Sequence, residues 1–579
     1  MISGIASAAG AGSCSNFAAG SCPAGIPHGV TSFYFIDYAS GSDSNSGTSE
    51  SAPWQHLPTC ANATGSAAAH TPGPGEGWIL KGGVTIDYHC WPANLPWGGA
   101  SGALDYIGPD PGWYTGTSWS RPIFSGGAGS LNADSIGGEL LNDSKHHASY
   151  LVLDNIEFTG FYWSSSNKCF VQSETCGYVS TYMGLSVPGS PDVAWEFKNI
   201  YAHNITHASN VADQAPYGLF WMPRDAASSW HDSVIDNSDG GHDCCGGVFT
   251  ANIYNAYFKG LNNSVYNPST PSTQETIFLL HDFTIVDSVN TFSSVSPTPH
   301  GNCIHLFGDN PVTFTELIYN GRIDCPAEQA ETMEIEEDAA TLYAYNLVVT
   351  NEGQPNGFDT SFFSSSSLGG TYHYFDITEE CGTQGGTFGP YPCFALRGSP
   401  AVAEYNMFGI AANGGDGPTN SLVCELTGCG DLTGNFTGTF TSAPTSTIVC
   451  GSSTTKNFGG NVICAPIGSG DGTGNLNINQ TYPYAPLDST AAATVGTAGA
   501  TTLRSYCSTI SGINAAAGAA CLSDTTLGVS YNTSNHSTSW PARTPLPHPS
   551  SGNWEIGAYE PPSGTPPPQP PTGLTAVVQ

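Results

Sequence analysis

Asn155-Ile156-Glu157-Phe158 begins a phrase that this chain repeats: a polar residue, often Asn, and then alternating apolar and polar positions. It returns as Asn199-Ile200-Tyr201-Ala202, Ser233-Val234-Ile235-Asp236, Asn255-Ala256-Tyr257-Phe258 and Asp282-Phe283-Thr284-Ile285. It closes as Glu316-Leu317-Ile318-Tyr319, Asn346-Leu347-Val348-Val349, Tyr374-Phe375-Asp376-Ile377 and Asn406-Met407-Phe408-Gly409. Counted at the first apolar residue, the intervals are 44, 34, 22, 27, 34, 30, 28 and 32 residues. Alternation over four residues is a strand signal. A strand phrase returning every 20 to 45 residues is the signature of a solenoid.

A second ladder lies upstream of most phrases: Gly218-Leu219-Phe220-Trp221, Gly247-Val248-Phe249, Asn302-Cys303-Ile304-His305-Leu306, Met333-Glu334-Ile335 and Ser361-Phe362-Phe363. Ile304 precedes Leu317 by 13 residues, Ile335 precedes Leu347 by 12 and Phe362 precedes Phe375 by 13. The near-constant offset predicts two faces of one coil joined by a corner. Such coils stack as an all-β parallel β-helix, each rung burying its apolar side chains against the next. A β-sandwich would need hairpin turns every 8 to 12 residues, and none punctuate this stretch.

Composition narrows the function classes. Against 47 Asp and Glu stand 12 Lys and Arg, a formal net charge of −35. That balance argues against nucleic acid and anionic membranes as partners, since both need basic surfaces. It also disfavours a strongly anionic polysaccharide unless calcium bridges the two. No apolar run is long enough to span a membrane. Eighteen cysteines, many in close pairs such as Cys14 and Cys22, Cys169 and Cys176, Cys381 and Cys393, Cys424 and Cys429, Cys450 and Cys464, and Cys507 and Cys521, point to an extracellular protein with disulfide-stapled loops.

The run Phe33 to Trp54, with Gly41-Ser42-Asp43-Ser44-Asn45-Ser46-Gly47-Thr48 inside it, resembles the opening of extracellular proteins of the pectate-lyase-like right-handed parallel β-helix superfamily. Gly77-Trp78-Ile79-Leu80-Lys81-Gly82-Gly83 resembles an early coil of the same proteins, and Trp554-Glu555-Ile556-Gly557-Ala558-Tyr559-Glu560 the closing phrase of bacterial members. The resemblance implies a right-handed coil from about 31 to 560. It implies little about function, because this fold carries lyases, hydrolases, adhesins and fibres. The expected organisation is an arm over 1–30, a parallel β-helix over 31–410, closing coils and loops over 411–560, and a Pro-rich linker with a terminal strand over 561–579. That last strand, Thr572 to Val578, lacks a partner in its own neighbourhood. It is expected to pair with a sheet edge, its own or that of another copy.

The acidic run Glu331-Thr332-Met333-Glu334-Ile335-Glu336-Glu337-Asp338 supplies the candidate chemistry. With Met333 and Ile335 inward, Glu334 and Glu336 share the outer face. The expected register sets Glu336 beside His305, about 4.8 Å away along the stack. Phe220, Phe249 and Phe363 would continue that outer column as aromatic walls that hold substrate. Glu334 and Glu336, two residues apart, would stand roughly 6.5–7 Å apart, within the range of an inverting acid and base. They are the candidate catalytic pair, with His305 tuning them. At the corner before this strand, His300 is a candidate sugar contact, and Asp239, Asp243 and Glu331 are candidate ligands for calcium. Asn237-Ser238-Asp239-Gly240 faintly resembles a polygalacturonase signature, but Asn262-Asn263 stands where paired aspartates belong, so that family is not assigned.

Two function classes follow. One is a secreted hydrolase or lyase acting in a groove on a neutral or weakly charged polysaccharide. The other is a non-catalytic sheath, filament or adhesive subunit that assembles through its termini.

Overall fold

The structure is a computed structural model. It describes residues 29–87 without 59 and 61, 98–125, 148–160, 192–207, 219–236, 247–261, 265–269, 277–286, 303–308, 315–324, 333–337, 340–350, 370–381, 401–411 without 407, and 495–560 without 542 and 556. It also describes the short strands 162–163, 184–185, 362–366, 394–398, 423–424, 439–440, 447–450 and 462–463, with residue 482. The expected arm over 1–30 lies almost wholly outside these residues. The tail over 561–579 lies outside them entirely, and so does its proposed strand pairing.

The chain forms two compact units. The first holds residues 1–317, 327–341 and 528–540; the second holds 318–326, 342–527 and 541–579. In the first unit, strands Ser32–Ile36, Glu76–Gly82, Asp105–Tyr114, Leu151–Asp154, Trp195–Lys198, Ser229–Asp236, Asn252–Lys259 and Ile277–Val286 pair in that order. Every one of these pairings is parallel. A second parallel sheet runs Gly184–Leu185, Phe220–Trp221, Val248–Phe249, Val265–Ser269, Ile304–Gly308 and Met333–Glu337. The upstream ladder read from the sequence is therefore a sheet of its own. Val265–Ser269 is a rung of it that the phrase missed, because Asn267-Pro268 interrupts its apolar pattern.

The second unit repeats the parallel arrangement with Thr371–Cys381, Ala401–Tyr405 and Phe408–Ala411, and with Phe362–Ser366 beside Phe394–Gly398. Where irregular coils were expected after 411, the helices Ala500–Ile513 and Ala515–Ala520 form, joined by the Cys507–Cys521 disulfide. Leu503, Cys507 and Ile510 are their buried stripe, a helical spacing hidden among Thr, Ser and Gly. No helix among the described residues is long and apolar enough to cross a membrane.

Ile156, Ile200, Phe283, Leu317, Leu347 and Phe375, each the first apolar residue of a repeated phrase, are all buried. In the first unit aromatic rings continue the core from rung to rung. Phe124 stacks on Phe158 at 5.7 Å and Trp230 on Phe258 at 5.4 Å. Full burial of such a side chain stabilises by about 1.5–3 kcal/mol.

The repeated Asn has a backbone cause. Asn155, Asn199, Asp232, Asn255 and Asp282 lie in register in the first unit, all with φ between 48° and 57°. Asn320, Asn346, Asp376 and Asn406 do the same in the second unit. Each strand bends at this residue, and the left-handed conformation there favours Asn and Asp among residues with a Cβ. The side chains reach the preceding rung: Asn199 Nδ2 donates to Asp154 Oδ1 at 2.7 Å, and Asn406 Nδ2 to Asp376 Oδ1 at 3.2 Å. Asn346 donates to Asn320 Oδ1 and also to the backbone carbonyl of Ser523 at 2.8 Å.

Candidate functional site

The second sheet of the first unit fixes the residues singled out from sequence. His305 pairs with Glu334, and Glu336 pairs with Phe307. The expected neighbour of His305 was Glu336, so the register is slipped by two residues. A two-residue slip leaves every side chain on its original face, which is why alternation alone could not detect it. His305 is buried, only 4% exposed, between buried Ile304 and Leu306. Phe220 was expected on the outer face but is fully buried against Phe158, Phe197 and Trp230. Phe249 is also buried, under Trp221 and the Arg224 guanidinium. Both correct the aromatic walls. At the start of a strand that turns a corner, the alternation of a two-residue segment does not say which face is inward.

Glu334, Glu336 and Phe363 lie on described strands, but their side chains are outside the described residues, as are His300, Asp239, Asp243 and Glu331 altogether. Among the described residues no three His, Cys, Asp or Glu side chains group as a metal site.

A different cluster stands on the main sheet of the first unit. On the strand Trp195–Lys198, Trp195 and Phe197 are buried while Glu196 and Lys198 face outward. The next rungs place His231, Tyr254 and His281 in register with Lys198. Each stands one residue before the bend. The three rings stack: His231 on Tyr254 at 4.4 Å, and Tyr254 on His281 at 5.3 Å, within 7° of parallel. Ring faces are thus covered by ring faces, and edges point outward.

Carboxylates frame the rings. Glu196 Oε1 lies 3.0 Å from Lys198 Nζ and 3.2 Å from His231 Nε2. The other nitrogen of His231 lies 2.6 Å from Asp232 Oδ2, and His281 Nδ1 lies 2.8 Å from Asp282 Oδ2. Burial works against the charge of Glu196. The hydrogen bond from His231 and the nearby Lys198 ammonium outweigh it and pull the carboxyl down to about 2. Burial likewise opposes the His231 imidazolium, but the flanking carboxylates of Asp232 and Glu196 raise its pKa above the ordinary value. Burial, helped by Glu196 and Asp232, pushes the Tyr254 phenol up, so it stays neutral. The arrangement is a proton held between two carboxylates, beside a neutral phenol, on a face open to solvent at Glu196 and Asp232.

No family model matches the chain, and no curated protein matches its sequence. Among solved structures, the native GH136 lacto-N-biosidase from Eubacterium ramulus is similar at 12% identity, with a TM-score of 0.31. The likeness covers 72% of this chain and 67% of that one.

The sequence did carry a signal for this cluster. The residue just before the bend reads Lys198-Asn199, His231-Asp232, Tyr254-Asn255 and His281-Asp282 in the first unit. In the second it reads Tyr319-Asn320, Tyr345-Asn346, Phe375-Asp376 and Tyr405-Asn406. There the aromatic column is sealed: Tyr345 stacks on Tyr319 and Phe375 at 5.1 and 5.0 Å, and its hydroxyl donates to the carbonyl of Ala517. Titratable groups occupy the column in one unit and covered rings in the other.

Proposed function

We propose that this chain is a right-handed parallel β-helix that acts on a polysaccharide along the outer face of its first unit, as a glycoside-cleaving enzyme working outside the cell. The observation that carries this reading is the Glu196–His231–Asp232 group. A glycan laid along the stack would meet one hydrogen-bonding edge per rung, every ~4.8 Å. His231 is the proton donor in this reading. A glycosidic oxygen would take the Nε2 proton in place of Glu196. The C–O bond then breaks with its electron pair going to the oxygen of the leaving sugar, the neutral Nε2 takes a proton from the water that adds to the anomeric carbon, and Glu196 stabilises the imidazolium so restored. Asp232 holds the imidazole through Nδ1. The Cys507–Cys521 disulfide supports an oxidising compartment.

Glu334 and Glu336, with His305, are the rival proposal for the acid and base. The burial of His305 weighs against it, because a tuning imidazole there is turned away from solvent.

The test is hydrolysis of a panel of soluble polysaccharides by the full chain. His231→Ala and Glu196→Gln are expected to lower kcat at least a hundredfold while the chain stays folded by far-UV circular dichroism, and Glu336→Gln keeps activity. Loss in Glu336→Gln alone would move the centre to the rival pair. An inactive parent on every glycan would sink the enzyme reading.

A further inference from the structure

The charges of the proposed site are layered, and this bears on what kind of glycan it takes. Glu196 and Asp232 keep 33% and 32% of their side chains exposed, whereas Lys198 keeps 17% and His231 8%. Both cations are turned onto Glu196, at 3.0 and 3.2 Å. An approaching ligand therefore meets carboxylate oxygens first and finds the positive charges already engaged beneath them. At the next His–Asp pair the carboxylate of Asp282 is the more enclosed member. The outward acidic layer is thus centred on Glu196 and Asp232.

A second observation points the same way. Asn255 is 2% exposed, and its Nδ2 donates to Asp232 Oδ1. The other end of that amide, Oδ1, is buried and has no hydrogen-bond partner among the described residues. A buried acceptor without a donor is costly, about 1–3 kcal/mol. On the following rung the in-register residue is Asp282, whose carboxylate accepts and does not donate when ionised. Around Glu196 and Asp232 the cluster has more acceptors than donors.

Resting on the glycan reading above, we propose that the polysaccharide this site takes carries free amines, as a polymer of de-N-acetylated amino sugars does. A protonated amine brings three donors and one positive charge, which is what the outer layer lacks. The whole chain favours the same partner, since a net charge of −35 steers cations toward it. A uronate would meet Glu196 and Asp232 head on. A neutral glycan would offer their outward oxygens hydroxyl donors but no positive charge.

The test is calorimetric binding of the full chain to three hexamers: glucosamine, N-acetylglucosamine and galacturonic acid, at low and high salt. The glucosamine hexamer is expected to bind at least tenfold tighter than the other two, with the advantage shrinking at high salt. Glu196→Gln and Asp232→Asn should each erase the preference. Asn is tolerated at 232, because Asn155, Asn199 and Asn255 occupy the equivalent bend with the same backbone. Equal or tighter binding of either other hexamer would overturn the amine proposal and leave the glycan reading standing. Binding of none would overturn the amine proposal, and the glycan reading would then stand or fall on the hydrolysis panel.

Discussion

At the scale of single residues, the bends are held by a shape only a few side chains tolerate. Asn346 is 1% exposed, with φ of 55°. Its amide donates to Asn320 Oδ1 at 3.3 Å and to the carbonyl of Ser523 at 2.8 Å. Alanine there loses those bonds and keeps the left-handed strain of about 1–2 kcal/mol. Glycine loses the bonds but escapes the strain. Asn346→Ala should therefore lower unfolding free energy by about 3 kcal/mol in denaturant titration, and Asn346→Gly by roughly 1–2 kcal/mol less than that. An Ala variant as stable as the Gly variant would show that the bend is not strained. The Asn of the phrase was plain in the sequence. Its cause was not, because a polar residue at a corner reads the same whether its side chain or its backbone is what matters.

At the scale of elements, the strands were legible and their partners less so. Alternation placed the buried residues from Ile156 to Phe375, since one face of each rung must leave water. It could not fix register in the second sheet, where Ile304 faces Met333 rather than Ile335. Nor could it foresee the hairpin Ser530–Asn532 and Ser537–Ser539, because the contacts that hold it join residues hundreds of positions apart. Tyr531 stacks on Tyr257 at 4.7 Å and His536 on Tyr201 at 4.0 Å. Buried Arg121 donates to the carbonyls of Asn535, His536 and Asn199 at 2.8, 3.1 and 3.1 Å. A guanidinium reaches three carbonyls from one rigid fork, and an ammonium on a flexible stem does not reproduce that geometry. Arg121→Lys should speed amide exchange across 530–539 at least tenfold while the amides of Trp230 and Phe258 stay protected. Unchanged exchange in the hairpin would mean that ring stacking alone holds it.

At the scale of the whole molecule, both units bury carboxyls that no cation hydrogen-bonds, and this sets how stability follows pH. In the first unit Asp105 is fully buried. Desolvation raises it to about 7, although the backbone amides of Gly75 and Glu76 donate to it. In the second unit Asp376 is also fully buried and also raised to about 7, again by desolvation. Its Oδ2 lies 3.8 Å from His548 Nε2, too far for a hydrogen bond. A raised folded pKa means that the native state keeps a proton that the unfolded chain has released. Stability from these groups is complete below about pH 4 and is lost as pH rises toward 7. His373 acts in the opposite sense, since burial lowers it to about 4 and favours the neutral ring. The chain's self-repulsion grows over the same interval as its carboxylates ionise, which adds to the carboxyl effect. The parent should therefore unfold at a lower temperature at pH 8 than at pH 5. Asp105→Asn and Asp376→Asn preserve an acceptor for the Gly75, Glu76 and Asn406 donors and add an NH2 in place of the acid proton. Each should flatten the pH dependence and raise the midpoint at pH 8, and the double variant should do so additively, since the two carboxyls share no bonding partner. A midpoint that rises between pH 5 and 8 in the parent, or variants that leave the slope unchanged, would show that these carboxyls are ionised in the folded chain.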